Sequence, residues 1–245
     1  MRKDLPKSNV KKNYKYVLNT FVKNIVEQEE TNIISIFLTG SFARGEATEN
    51  SDLDIWCIFK HLNTSTLSKV GDIVRNLPIN YDKLEVNSQC ITLDEFNSSF
   101  FSKFTFKPIV ALEGVLLYGN ELDKDLPSLE PIENLYKEMM SEILLSIRHY
   151  ISVNEPVEKL THNKIKTWVL KPLMFALRLE RYFSTQNYPL TSNDLLNTCA
   201  NETAQIIEYF LDEKKWLIDI FNDYSGTLNY LHETTLKLIF SERNE

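Results

Sequence analysis

The sequence predicts an α+β protein in two parts, an amino-terminal half mixing strands with helices and a carboxyl-terminal half that is helical throughout. Apolar runs of strand length stand at Ile33–Leu38, Leu53–Phe59 and Val115–Gly119, with a more polar one at Lys83–Thr92. From Pro131 onward that pattern gives way to apolar residues three and four apart. The change falls in Leu126-Pro127-Ser128-Leu129-Glu130-Pro131, a short proline-flanked linker. Residues 1–127 and 128–245 are therefore expected to form separate domains.

The elements follow in order. Tyr14, Val17, Leu18, Phe21, Val22, Ile25 and Val26 keep helical spacing and predict an amphipathic helix that packs on the sheet. After the first two strands, Leu67, Val70, Ile73, Val74 and Leu77 predict the buried side of a helix over Ser65–Leu77. Thr92 followed by Glu95 reads as a capping box opening a helix over Leu93–Phe101. In the second half, one helix runs through Leu135–Tyr150 and another through Ile165–Phe183, bent at Pro172 because proline lacks the N–H that a helix interior needs. Further helices are expected at Thr191–Phe210 and Lys214–Phe240.

Composition narrows the function. The chain has 245 residues, enough to bury a core without disulfides. Its three cysteines, Cys57, Cys90 and Cys199, have no framework spacing and read as small buried apolar residues of a reducing compartment. No apolar run reaches membrane-span length, and the polar start lacks a signal-peptide core, so a cytoplasmic protein is expected. Lys and Arg number 27 against 34 Asp and Glu, a net charge of −7 that argues against broad nucleic-acid binding. The same balance suits a cationic small-molecule acceptor. His61, His149, His162 and His232 are scattered without metal spacing.

The chemistry concentrates in IISIFLTGSFARGEATENSDLDIWCIF, Ile33 to Phe59. Strand side chains alternate between faces, so Asp52 and Asp54 project from one side and can grip the same divalent ions. Gly40 and Ser41 stand where the first strand yields to a turn, and backbone N–H groups exposed there attract phosphate. Paired carboxylates beside such a cradle point to metal-assisted nucleotidyl transfer. The segment resembles the nucleotidyltransferase signature of the DNA polymerase β superfamily: a hydrophobic strand ending in Gly-Ser, about ten intervening residues, then Asp-hydrophobic-Asp-hydrophobic. Gly40-Ser41 and Asp52-Leu53-Asp54-Ile55 fill every position. Ala43-Arg44-Gly45 and Ser51 also resemble bacterial minimal nucleotidyltransferases and antibiotic adenylyltransferases, which implies a mixed sheet with helices followed by a helical bundle.

Two-metal transfer calls for a third acid. Glu85 is the candidate, in a context resembling the strand that carries this acid in kanamycin-type enzymes; Asp82 is its nearest rival. Its role as metal ligand, general base or both stays open. Ser41 is expected at the terminal phosphates. Arg44 is either a phosphate fork or a solvated loop residue, and Ser51 bonds either backbone or phosphate. Gly45 supplies freedom for the loop to bend. Lys164, Lys171 and Arg178 repeat every seven residues and form one line on a helix, opposite much of the Trp168 and Leu179 face. Turned to the site, that line would offer Lys171 and Arg178 to the nucleotide; turned to water, it is an ordinary solvated stripe, the reading slightly favoured. Leu177–Phe183 with Tyr188-Pro189-Leu190-Thr191 resembles the helical domain of streptomycin and spectinomycin adenylyltransferases, although Asn193 stands where those enzymes usually place a lysine. Tyr118 reads first as core and second as a border of the base pocket.

The resemblance implies two Mg2+ ions, ATP as donor, and transfer of AMP to a hydroxyl of an aminoglycoside-like small molecule with release of pyrophosphate. The alternatives are a protein or RNA acceptor, as in toxin–antitoxin enzymes, or a non-catalytic nucleotide-binding regulator.

Overall fold

A computed structural model describes residues 4–6, 13–78, 84–98, 106–122, 129–154 and 156–240, and its packing separates two compact units, Met1–Ser128 and Leu129–Glu245. In the first unit, α1 (Tyr14–Glu29) leads into β1 (Ile33–Thr39), the short α2 (Gly40–Arg44), β2 (Leu53–Phe59) and α3 (Thr64–Arg75). β3 (Val86–Thr92), α4 (Leu93–Asn97), α5 (Phe106–Leu112) and β4 (Val115–Gly119) complete it. One mixed sheet results, in the order β3-β2-β1-β4. β1 is antiparallel to both β2 and β4, whereas β2 and β3 are parallel. A parallel neighbour requires a crossover connection, and the segment containing α3 supplies it.

Period-two alternation divides β1 and β2 between two apolar layers. Ile36, Leu38, Leu53, Ile55, Cys57 and Phe59 pack with Leu18, Phe21 and Ile25 of α1 and Val70 and Ile73 of α3. Phe37, Trp56 and Ile58 face the other way, with Ile91, Phe96 and Val110. Each fully buried side chain of this size contributes about 1.5–3 kcal/mol, so strand register is firmly specified.

Several expectations change. Leu67 is exposed, because the buried line of α3 runs through Thr66, Val70 and Ile73 and leaves Leu67 about 100° round the helix. The third strand starts at Val86, and Lys83 lies outside the described residues. The Thr92–Glu95 capping box forms, with Glu95 N–H donating to Thr92 Oγ1 at 3.1 Å and Thr92 N–H to Glu95 Oε2 at 2.7 Å. Of the cysteines, Cys57 is buried but Cys90 and Cys199 are only partly so.

The second unit contains α6 (Leu129–Ser152), a 3₁₀ turn at Val157–Lys159, α7 (His162–Ile165), a π-helical turn at Lys166–Leu170, and α8 (Lys171–Thr185). α9 (Ser192–Thr198), α10 (Asn201–Leu211), α11 (Glu213–Asn222) and α12 (Tyr224–Phe240) follow. The two long helices expected after Thr191 are thus four, one break being capped by Asp212, whose Oδ1 accepts from Lys214 N–H at 2.9 Å. α6 packs against α8 and α12. The buried core draws on Met140, Ile143, Ile147, Leu173, Leu177 and Leu231.

The π turn overturns the expected basic stripe. Closing a turn over five residues inserts one extra, which rotates everything beyond it by about 100° relative to a continuous α-helix. Trp168, inside the turn, faces outward at 63 % exposure, and Arg178, beyond it, is only 3 % exposed. Pro172 sits at the second residue of α8, directly after the π turn. No helix among the described residues is long and apolar enough to cross a membrane.

Candidate active site

The carboxylates follow from the packing of β2. Leu53, Ile55, Cys57 and Phe59 belong to the layer shared with α1 and α3, so Asp52 and Asp54 are left on the opposite face, in line with Trp56 and Ile58. Both are half-buried at the beginning of the strand. Thr39, the last residue of β1, pairs with Asp54 across the antiparallel ladder. The chain then turns at Gly40 with φ +69°, a left-handed conformation that glycine adopts without steric cost. A Cβ at Gly40 would stand 2.2 Å from Asp54 Oδ2, so the carboxylate lies directly against the bare α-carbon. Ser41 follows, half-buried, in the first turn of α2.

β3 brings the remaining polar groups. Its parallel register sets Val86 beside Leu53 and Asn87 beside Asp54, and Leu53 N–H donates to the Glu85 carbonyl at 2.8 Å. Glu85 therefore stands next to Asp52 and, by alternation, on the same face as both aspartates. Its side chain is exposed. Asp82, the rival third acid, lies outside the described residues. Asn87 Nδ2 donates to Asp54 Oδ1 at 3.2 Å, and Gln89 Nε2 donates to Asn87 Oδ1 at 3.0 Å. Neither amide was singled out in the sequence; the polar alternation Glu85-x-Asn87-x-Gln89 was the signal available.

The donor set is hard oxygen, suited to Mg2+. Asp52 and Asp54 would hold such an ion. Among the described residues no three acids, histidines or cysteines already form a metal-sized cluster, so Glu85 would have to swing inward to complete a cage.

Arg44 corrects an expectation. It is not a solvated loop residue: Nη1 donates to buried Glu113 Oε2 at 2.6 Å and Nε to Glu46 Oε2 at 3.0 Å. Burial would pull its pKa down, but Glu113 and Glu46 more than offset this and raise it, fixing the charge. Ser51 also has a local role, Thr48 N–H donating to its Oγ at 2.8 Å across the turn before β2. Arg178 Nη2 donates to Ser192 Oγ at 3.1 Å inside the helical unit, while Lys171 is exposed. Both lie in α8 beyond the π turn, about 20° apart around it, so it is burial further along the helix that takes Arg178 out of the line. Tyr118 packs on the layer shared with α1 and α3. An open hollow of about 440 Å³ beside Glu29, Asn32, Lys60 and Lys69 lies at the other end of the β1–β2 pair, away from Asp52 and Asp54.

Comparison with known proteins bears on the fold. Residues 20–112 match the family model of the nucleotidyltransferase domain. The spectinomycin adenyltransferase AAD(9) from Enterococcus faecialis, solved with ATP and spectinomycin, is similar in fold over 91 % of this chain and 99 % of its own, at 15 % identity and a TM-score of 0.53. A mutant of the toxin–antitoxin pair MntA-HpeT matches 55 % of this chain and 97 % of its own, at 19 % identity and a TM-score of 0.33. No curated protein sequence matches the chain. The mixed sheet, the Gly40–Ser41 turn and the Asp52–Asp54 pair, together with the match over residues 20–112, make the amino-terminal part of this chain a polymerase-β-like nucleotidyltransferase domain.

Proposed function

We propose that the protein transfers AMP from ATP to a hydroxyl group of a small cationic acceptor of the aminoglycoside type, releasing pyrophosphate. The observation that carries this is the carboxylate face: Asp52 and Asp54 project from one side of β2, with Glu85 aligned beside Asp52 by the parallel register. Bound Mg2+ would neutralise phosphate charge and ease deprotonation of the attacking hydroxyl. Asp52 and Asp54 would hold that ion in place, and Ser41 at the Gly40 turn would orient the terminal phosphates. The acceptor oxygen bonds to the α-phosphorus, the bond from that phosphorus to the β-bridging oxygen breaks, and the hydroxyl proton passes to Glu85.

The choice of a small antibiotic acceptor is supported by the fold shared along nearly the whole chain with an enzyme solved with ATP and spectinomycin. The acidic balance of 34 Asp and Glu against 27 Lys and Arg favours a cationic acceptor over an RNA end.

Pyrophosphate release with ATP, Mg2+ and a panel of aminoglycosides plus spectinomycin tests the reading. Asp52→Asn and Asp54→Asn are each expected to lower turnover by about 10²-fold or more without unfolding the protein. Near-wild-type rates in both would remove the metal assignment; a wild type silent with every acceptor would remove the antibiotic.

A further inference from the structure

We infer that Asn87 is a positioning residue for Asp54: its amide, braced by Gln89, fixes the carboxylate in the orientation that ligates a divalent cation. The inference rests on the reading of Asp52 and Asp54 as metal ligands and adds to it a residue that the nucleotidyltransferase signature does not contain.

Asp54 is held from two sides. Its Oδ2 lies against the α-carbon of Gly40, closely enough that a Cβ there would stand 2.2 Å away. Its Oδ1 accepts from Asn87 Nδ2 at 3.2 Å, across the parallel register that sets the two residues side by side. The direction of the Asn87 amide follows from chemistry: an ionised carboxylate only accepts, so the nitrogen must face Asp54 and the oxygen must face a donor. Gln89 Nε2 is that donor, at 3.0 Å. The chain Gln89 to Asn87 to Asp54 thus has a single consistent polarity.

The bond leaves the ligand competent. A carboxylate offers about four lone-pair directions, and Asn87 takes only one of them. The amide is neutral, so it orients the carboxylate without adding a negative charge beside an incoming triphosphate. β3 is an edge strand, and a side chain on its open face can serve the site without disturbing either core layer. Outer partners of metal ligands commonly change affinity 10–100-fold when removed.

The test is a Mn2+ titration of the full chain followed by electron paramagnetic resonance of the free ion, with Mg2+ competition and melting in the absence of metal. Asn87→Leu, nearly the same size but unable to hydrogen-bond, is expected to weaken Mn2+ binding about tenfold or more, and Gln89→Leu to weaken it less. Metal-free melting should stay at the wild-type midpoint, since Asn87 is exposed. Asn87→Ser, small and polar, repeats the measurement should the leucine variant melt early. Wild-type affinity in both Asn87 variants would overturn the inference and leave the metal site standing. Absence of Mn2+ binding by the wild type, or binding untouched by Asp54→Asn, would overturn both.

Discussion

Gly40 and Asp54 share a space that admits no further atom. Any other residue at position 40 must adopt φ near +69° with its Cβ on the Asp54 carboxylate. The backbone conformation alone costs about 1–3 kcal/mol for a residue with a side chain. Gly40→Ala is therefore expected to lower the melting midpoint and, because Asp54 must rotate away, to reduce turnover by about 10²-fold or more. A variant that melts early yet keeps wild-type turnover at low temperature would show that the carboxylate's position against Gly40 is not used. Arg44 teaches the converse. Its neighbours in the sequence place it beside the phosphate turn, but its partner Glu113 lies 69 residues away and is almost fully buried. Breaking a buried pair of this kind leaves an uncompensated charge, so the pair with Glu113 anchors the arginine to the core. No local pattern around Arg44 could have shown that.

At the scale of elements, what was legible depended on whether a signal was local. β1 and β2 were readable because two-sided burial writes an unbroken apolar run, and the aspartate pair because alternation fixes which face each residue takes. The pairing of β3 was not, since a parallel register is set by packing between distant segments; it delivered Asn87 and Gln89 to the site unannounced. The π turn at Lys166–Leu170 was equally hidden, and its extra residue takes Lys164 out of register with Lys171 and Arg178. The same β2–β3 register sets Cys57 beside Cys90. The hydrogen bond from Cys57 lowers the Cys90 thiol pKa, outweighing the opposing effect of burial, whereas the Cys57 thiol is pushed well up. Alkylation by iodoacetamide, followed by mass spectrometry, should then modify Cys90 before Cys57. Because the thiolate is the nucleophile, the Cys90 rate should rise with pH at lower values than for an ordinary thiol, and Cys57→Ala should move that rise to higher pH. Equal rates at the two thiols, or no shift in the variant, would remove the hydrogen bond from the account.

For the whole molecule, the two units differ in what each supplies. The candidate metal and phosphate groups, from Gly40 and Ser41 through Asp52, Asp54 and Glu85 to Asn87, all come from the first unit. So do both apolar layers on its sheet, which bury Phe21, Phe37, Ile55 and Phe59 completely. The second unit has a separate core between α6, α8 and α12. A fragment of residues 1–128 is accordingly expected to fold, with a cooperative melt, since domains with their own core can do so alone. It should bind Mn2+ within about tenfold of the full chain, because ligands on β2 and β3 are positioned by the sheet and not by the helices of the second unit. Transfer to a small acceptor should be lost with the helical unit. The measurements are a thermal melt by circular dichroism, Mn2+ titration, and pyrophosphate release with the antibiotic panel. A fragment that melts without cooperativity would show that the first unit depends on the second for folding. One that folds and still transfers AMP to the acceptor at the full-chain rate would place the acceptor site within residues 1–128 and free the helical half for another task.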